Sequence, residues 1–164
     1  MIKRIARIIL LNLLVLAFKG GLFNAGAQIY VTGFGVHLGN PTGVTAKYFF
    51  SEADAVEGLV ASSWQGYSLT GLYQRHFLFD DPKLRNTHWY IGTGIHLGKW
   101  NNTAPFYGGT GTLNTFGVDL AFGIESTFGD YPYTFGFNWM PSVNITGQFG
   151  LNIFQAGITG RYIF

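Results

Sequence analysis

Large apolar side chains alternate with small or polar ones along most of the chain that follows residue 27. In the clearest run, residues 115–128, the even positions hold large apolar residues and one serine, whereas the odd positions hold glycine, alanine, threonine and two acidic residues. Successive side chains of a β-strand point to opposite faces, so a period of two indicates strands with one apolar face. No stretch beyond Ala27 has the i, i+3, i+4 apolar spacing of an amphipathic helix. The sequence therefore predicts an all-β fold.

The same alternation recurs in segments 30–38, 89–98, 133–140 and 154–164. In a soluble protein the large face of each strand would be buried and a polar face would meet water, but here the second face is mostly glycine, alanine and threonine. A narrow closed barrel in a membrane fits this pattern, because acyl chains surround its outside and its thin lumen leaves little room for inward side chains. A soluble secreted β-sandwich is the alternative fold.

Charged residues are scarce in this chain. They make up 11% of it, against about 25% in soluble domains, and none lies between Asp130 and Arg161. That uncharged stretch contains glycines, asparagines and Pro141, so it is a poor transmembrane helix. A charge that faces lipid at the midplane costs about 2–4 kcal/mol. The scarcity of charge therefore favours strands with a lipid-facing side.

The first 27 residues have the three parts of a secretory signal peptide. Basic residues at positions 3, 4 and 7 precede an apolar run over residues 8–18, and the small residues Ala25 and Ala27 follow at the expected cleavage site. The run is too short for a spanning helix, which needs about 20 residues. We expect cleavage after Ala27, which leaves a barrel of residues 28–164; an N-terminal membrane anchor is the alternative. Removal of this segment also leaves six basic against eight acidic residues, so the formal charge changes from +2 to −2.

Turn signals divide residues 28–164 into eight predicted strands. The predicted strands are residues 29–38, 43–50, 55–64, 67–78, 87–99, 114–128, 131–143 and 148–164. Their lengths suit tilted strands that cross a membrane, which need about 9–11 residues. An even number places both chain ends on one side of the membrane, as in bacterial single-chain barrels. The predicted loops on the other, outward side are residues 39–42, 65–66, 100–113 and 144–147.

The closing segment, Gly157 to Phe164, resembles the C-terminal assembly signal of bacterial outer-membrane barrels. Tyr162 and Phe164 match its alternating aromatic residues, whereas Thr159 stands where the signal has a glycine. Residues 28–164 as a whole are similar to the small eight-stranded barrels related to outer membrane proteins A and X and the opacity proteins. Segments 72–77, 89–100 and 117–128 look like the versions common in Bacteroidetes.

That resemblance implies a monomeric protein of the bacterial outer membrane, surrounded by lipid and lipopolysaccharide and inserted by the barrel-assembly machinery. It transfers no catalytic residue, because the architecture does not fix a function. No basic stripe accompanies the aromatic residues, which argues against a nucleic-acid partner. The absence of cysteine excludes a disulfide scaffold, a thiolate zinc site and a catalytic cysteine.

Five charged residues fall on the inward face of the predicted strands: Lys47, Glu57, Asp119, Glu125 and Arg161. A register in which paired positions of the fifth and sixth strands sum to about 213 sets His88 opposite Glu125 and His96 diagonal to Asp119. Lys47 meets Glu57 in a similar way across a hairpin. Charges of both signs in so narrow a barrel are expected to pair and to plug it. We predict a structural polar network in the lumen; a gated path for a small solute is the alternative.

Other residue patterns give little support to a catalytic or metal site. The twin segments 33–39 and 92–98 share a GxGxxxG spacing, which differs from the dinucleotide fingerprint, and no helix follows them. Their histidines, His37 and His96, lack an evident third ligand for a metal. In the predicted register His96 and Ser142 lie about 9–10 Å apart, beyond hydrogen-bond reach for a catalytic pair. No enzyme activity, cofactor or metal is therefore expected, and a lipid A-modifying enzyme is a weak alternative.

Aromatic residues at the predicted strand ends indicate girdles at the two membrane surfaces. The girdle residues are Tyr30, Trp64, Tyr67, Tyr73, Trp89, Trp100, Tyr133, Trp139, Tyr162 and Phe164. Arg75 faces outward by the alternation, which is tolerable near the inner interface, where its side chain can snorkel. The sequence thus predicts an integral outer-membrane barrel with a plugged polar lumen and a structural or surface-interaction role. A narrow channel for small solutes is the alternative function.

Overall fold

The computed structural model of the chain describes residues 30–63, 66–101, 111–128, 131–147 and 149–164. The predicted signal peptide, with its cleavage residues Ala25 and Ala27, lies outside these ranges, as do Trp64 and residues 102–110 of the predicted third outward loop. Among the described residues, no helix is both long enough and apolar enough to cross a membrane.

Ten β-strands and one short 3₁₀ helix, Pro82–Leu84, make up the regular structure of the described residues. The strands are β1 (Thr32–Asn40), β2 (Thr42–Phe49), β3 (Asp54–Ser63), β4 (Gly66–Leu78), β5 (Thr87–Asn101), β6 (Thr112–Thr127), β7 (Tyr133–Trp139), β8 (Ser142–Thr146), β9 (Gly150–Asn152) and β10 (Ala156–Ile163).

The strands close into one antiparallel barrel. Each strand from β1 to β6 pairs with the next, and β10 pairs with β1, so the sheet has no free edge at this seam. β7 and β8 pair in succession with β6 and form one interrupted barrel strand, and β9 and β10 form the next. The prediction of an eight-stranded antiparallel barrel is confirmed, and the sandwich alternative is wrong because the sheet closes on itself.

The predicted strands 131–143 and 148–164 are each interrupted in the structure, so each consists of two shorter strands. The first interruption lies at Met140 and Pro141, since proline has no N–H to donate to a neighbouring strand. The backbone still bridges the break: Met140 N donates to Gln155 O at 2.8 Å, and Leu120 N donates to Pro141 O at 2.9 Å. Residues 153–155 form the matching break in the adjacent strand.

Each strand has a buried inward face and an exposed outward face, as the alternation predicts. On β1 the large side chains of Phe34, Val36 and Leu38 are about half exposed, whereas His37 is completely buried. We call the end of the barrel that holds Tyr30 and the 3₁₀ helix the inner end, and the opposite end the outer end. Within the described residues, the lumen contains charged and polar side chains together with two small apolar clusters.

Candidate functional site

Four charged side chains meet in the inner half of the lumen, and we call them the charge cluster: Lys47, Glu57, Glu125 and Arg161. Arg161 donates from Nη1 to Glu125 Oε2 at 2.7 Å and from Nη2 to Glu57 Oε1 at 2.5 Å. Lys47 Nζ lies 2.9 Å from Glu125 Oε2 and 3.5 Å from Glu57 Oε2. All four side chains are buried. With two positive and two negative groups, the cluster is electrically balanced.

The pairing of the strands and the glycines of β1 determine where the side chains of the charge cluster lie. Lys47 and Glu57 are directly paired between β2 and β3, and Arg161 is paired with Gly35 of β1. A Cβ atom on Gly33 would lie 3.4 Å from Arg161 Cδ. The small residues of β1 therefore leave lumen space for the long side chains of Lys47 and Arg161.

Neutral side chains complete the hydrogen bonding of the two carboxylates. Tyr30 OH donates to Glu125 Oε1 at 2.5 Å. Gln74 Nε2 donates to Glu57 Oε2 at 2.7 Å, and Thr45 Oγ1 donates to Glu57 Oε1 at 2.5 Å. Every carboxylate oxygen of the cluster thus has a partner, which is the condition under which buried ions are tolerated.

Aromatic and histidine rings lie beside the charge cluster toward the inner end. The ring centroids of Phe49 and His76 are 4.7 Å apart, as are those of His76 and His88. His88 is paired with Glu125, in the predicted register. Its Nε2 lies 3.7 Å from Glu125 Oε1, beyond a hydrogen bond, and within the described part of the chain neither ring nitrogen of His88 has a hydrogen-bond partner. His88 therefore packs against the cluster without bonding to it.

An apolar layer separates the charge cluster from the outer half of the lumen. The layer consists of Leu59, Ala61, Leu72, Tyr90, Ala121 and Met140. Lys47 Nζ lies 4.5 Å from the centroid of the Tyr90 ring, so Tyr90 joins the layer to the cluster. Met140 lines a cavity on the other side of the layer.

This second space, which we call the outer cavity, has a volume of about 320 Å³. His96 and Asp119 line it, and His96 Nδ1 lies 2.9 Å from Asp119 Oδ2. The other ring nitrogen, Nε2, lies 2.8 Å from Asn144 Oδ1. The diagonal contact between His96 and Asp119 is the one that the predicted register implies.

The residues considered for a serine–histidine–acid triad share the outer cavity but do not form one. Ser142 is paired with Asp119 across β6 and β8. Its hydroxyl oxygen accepts a hydrogen bond from Gln155 Nε2 at 3.1 Å, while Asn144 occupies the ring nitrogen of His96 that a catalytic serine would need.

His37, from the first of the twin glycine-rich segments, has partners separate from those of His96. Its Nδ1 lies 2.6 Å from Pro41 O, and its Nε2 lies 2.8 Å from Asn138 Oδ1. Within the ranges that the structure describes, no group of three or more histidine, aspartate or glutamate side chains is arranged to hold a metal ion.

Two predicted girdle residues lie inside the barrel, so their assignment to the girdle was wrong. Tyr30 is only 6% exposed and reaches Glu125. Trp100 lines the outer cavity and donates its indole N–H to Thr115 Oγ1 at 3.1 Å. The alternation contained the signal for Trp100, because the even positions of β5 face inward. Tyr30 belongs to the predicted alternating segment 30–38 but precedes β1, so strand geometry does not fix the direction of its side chain.

The outward residues Arg75, Tyr162 and Phe164 lie on the barrel surface. Arg75 Nη1 lies 3.5 Å from Oδ1 of Asp54, its paired residue on β3, and Tyr73 OH donates to the same oxygen at 2.6 Å. No pattern in the sequence indicated Asp54 as this partner. Tyr162 and Phe164, of the predicted assembly signal, are 48% and 68% exposed.

Comparisons of the chain with protein-family models, with curated proteins and with solved structures find no match. Any function must therefore be inferred from the geometry of the lumen and of the outer surface. The inner half of the lumen is filled by bonded charges and rings, and the outer half holds a cavity lined by both apolar and polar side chains.

Proposed function

We propose that this chain is an integral barrel of the bacterial outer membrane, with a structural or surface-interaction role and a lumen closed to solutes. The observation that supports closure most directly is the charge cluster, whose four side chains reach across the lumen and bond to one another. The resemblance of the C-terminal segment to an assembly signal supports the cellular location.

The outward surface supports a membrane environment. Large apolar side chains on every barrel strand are about half exposed, and a soluble monomer rarely has so extensive an apolar surface. Among the described strand residues, the outward-facing charges are the Asp54 and Arg75 pair toward the inner end and Lys99 toward the outer end. The apolar belt between them is what acyl chains require of a barrel.

The side chains that fill the lumen favour a closed barrel over a conducting channel. A solute would have to pass the apolar layer around Met140 and then separate the paired charges of Glu125 and Arg161. Removing one partner of a buried ion pair costs about 3–5 kcal/mol, and several such contacts join the four side chains of the cluster. A narrow channel would need the whole cluster to move aside.

Membrane fractionation with site-specific labelling tests the location and the orientation. Because the chain has no cysteine, Thr42→Cys at the outer end and Lys83→Cys at the inner end each introduce one unique thiol on an exposed residue. We expect the protein in the outer-membrane fraction, with a membrane-impermeant maleimide labelling only Thr42→Cys on intact cells. A chain that stays in solution without detergent, or labelling of Lys83→Cys alone, would contradict the proposal.

Planar-bilayer recording tests closure. The purified barrel should give no defined conductance steps, whereas reproducible single-channel steps would favour the narrow channel for small solutes. Circular dichroism of the same preparation should show a folded barrel, so that the absence of conductance steps cannot be caused by unfolded protein.

The proposal includes no enzyme activity, because Asn144 and Gln155 engage the side chains of His96 and Ser142 that a lipid-modifying centre would use. Lipid A from a wild-type strain and from a deletion strain should have the same mass. A mass difference that the restored gene removes would contradict this part of the proposal.

A further inference from the structure

The outer cavity has a lining that is more apolar than polar, formed in part by Pro41, Met140, Phe149 and Leu151, and it also contains neutral polar side chains that the proposed closure does not use. Ser68 and Thr70 of β4 line one part of it, and Asn144 and Gln155 line another. Among the described residues, the hydroxyls of Ser68 and Thr70 have no hydrogen-bond partner. Both residues are largely buried, so these hydroxyls are directed to the cavity and not to bulk solvent. Unbonded hydroxyls on a recessed wall are a ready set of donors and acceptors for a ligand.

Charge in the outer cavity is balanced within the cavity itself. Among the described residues, the titratable side chains that line it are His96 and Asp119, which lie 2.9 Å from each other. The charge cluster is separated from the cavity by the apolar layer. An ionic ligand would therefore meet a paired His96 and Asp119 and no uncompensated opposite charge, so these surroundings favour an uncharged ligand with many hydrogen-bonding groups.

Size and shape narrow the class of ligand further. At about 320 Å³, the cavity is at the small end of ligand pockets, which occupy about 300–1,000 Å³. The Trp100 ring forms part of its wall and is held by the hydrogen bond to Thr115. An aromatic ring beside hydroxyls and amides suits a molecule with an apolar C–H face and a hydroxylated edge. A cyclic sugar has both.

We propose that the outer cavity binds one neutral sugar ring. Hydroxyls of the sugar would bond to Ser68, Thr70 and the amide of Asn144, with Trp100 against its C–H face. The ring could belong to a free monosaccharide or to the end of a glycan. This proposal is based on the residues that line the outer cavity. It depends on the proposed function only for the side of the membrane from which a ligand enters.

Saturation-transfer NMR on the full-length barrel in detergent tests this site with free glucose, galactose, mannose and N-acetylglucosamine. We expect at least one neutral sugar to give a saturable signal, with a dissociation constant of about a millimolar for so small a ligand. Glucuronate and glucosamine, which are charged, should bind at least several-fold more weakly. A neutral oligosaccharide that ends in the binding sugar separates the two sources: equal binding favours a glycan end, and loss of binding favours the free sugar.

Variants test whether the saturation-transfer signal comes from a sugar bound in the outer cavity. Thr70→Val combined with Ser68→Ala should weaken binding about tenfold, and Trp100→Leu should weaken it independently. Thr112→Val makes the same chemical change at an exposed threonine outside the cavity and should leave binding unchanged. Absence of saturable binding by every neutral sugar, tighter binding of glucuronate, or full binding by both cavity variants would overturn the proposal. Because the assay is done in detergent, these outcomes are independent of fractionation and of conductance.

Discussion

Replacing Glu125 by glutamine should destabilise the barrel strongly, because it removes one of the two negative charges of the charge cluster and preserves the side-chain size. Glu125 accepts from Arg161 at 2.7 Å, from Lys47 at 2.9 Å and from Tyr30 at 2.5 Å. After the change, two buried cations share the single carboxylate of Glu57. Removing one partner of a buried pair costs about 3–5 kcal/mol, a large part of the typical 5–15 kcal/mol of folding free energy.

Urea or guanidinium titration of the barrel in lipid vesicles measures this free energy of unfolding, with the fluorescence of the four tryptophans as the signal. Glu52→Gln is the matched control, since Glu52 lies exposed in the turn before β3. It should change the free energy of unfolding by less than about 0.5 kcal/mol. If Glu125→Gln unfolds at the same denaturant concentration as this control, the ionic cluster does not stabilise the fold.

A second substitution separates loss of charge balance from loss of packing. Lys47→Met added to Glu125→Gln leaves one cation, Arg161, bonded to one anion, Glu57. The double variant should therefore lose less than the sum of the two single losses, with a coupling of about 0.5–3 kcal/mol. Additive losses would refute the reasoning, because they would mean that the charges act independently.

Three further substitutions, together with the control Gly58→Ala, are tested by the same unfolding measurement. Tyr30→Phe should cost about 1–3 kcal/mol, because it removes the hydroxyl that donates to Glu125; an unchanged value would mean that the phenol is not needed there. Gly35→Ala should prevent folding or lower stability by more than about 1–3 kcal/mol, since its Cβ would lie 2.6 Å from the backbone Cα of the facing strand, whereas Gly58→Ala meets nothing within 4 Å and should fold normally. In the proposed membrane location, Arg75→Leu should change stability by about 0–1 kcal/mol, the range for an arginine near a membrane interface; a larger gain would indicate that Arg75 lies deeper in the bilayer.

Alternation was enough to predict which face of each strand is inward, because a period of two depends only on local backbone geometry. It placed Lys47, Glu57 and Arg161 in the lumen, and turn residues identified the eight barrel strands. The register of β5 and β6 was predictable because the strands are adjacent and both contain inward charged or histidine residues that can meet. These are properties of one strand or of one neighbouring pair.

Contacts across the lumen could not be predicted from the alternation or from neighbouring strand pairs. Arg161 bonds to Glu57 and Glu125, which come from strands that are not its neighbours, so the contact depends on barrel curvature and side-chain length. Tyr30 enters the lumen from a position just before β1, where the predicted alternation of segment 30–38 does not hold. Asn144 reaches His96 from β8, beyond the break at Pro141. The outer cavity is lined by residues from several strands that closure of the barrel brings together, which is why no local motif indicated it.

If the barrel lies in a membrane, as proposed, the charge cluster also determines which face of each strand points inward, which apolar residues alone cannot do in lipid. A one-residue slip between strands moves every side chain to the other face, and an apolar side chain is as well accommodated by acyl chains as by an apolar lumen. A charge is different, because facing lipid at the midplane costs it about 2–4 kcal/mol. We therefore expect that replacing all four residues of the cluster by neutral ones relaxes the register between β2 and β3, where Lys47 faces Glu57. Amide NMR spectra of that variant should contain more than one set of resonances for these strands, and a single set with native cross-strand contacts would contradict this account.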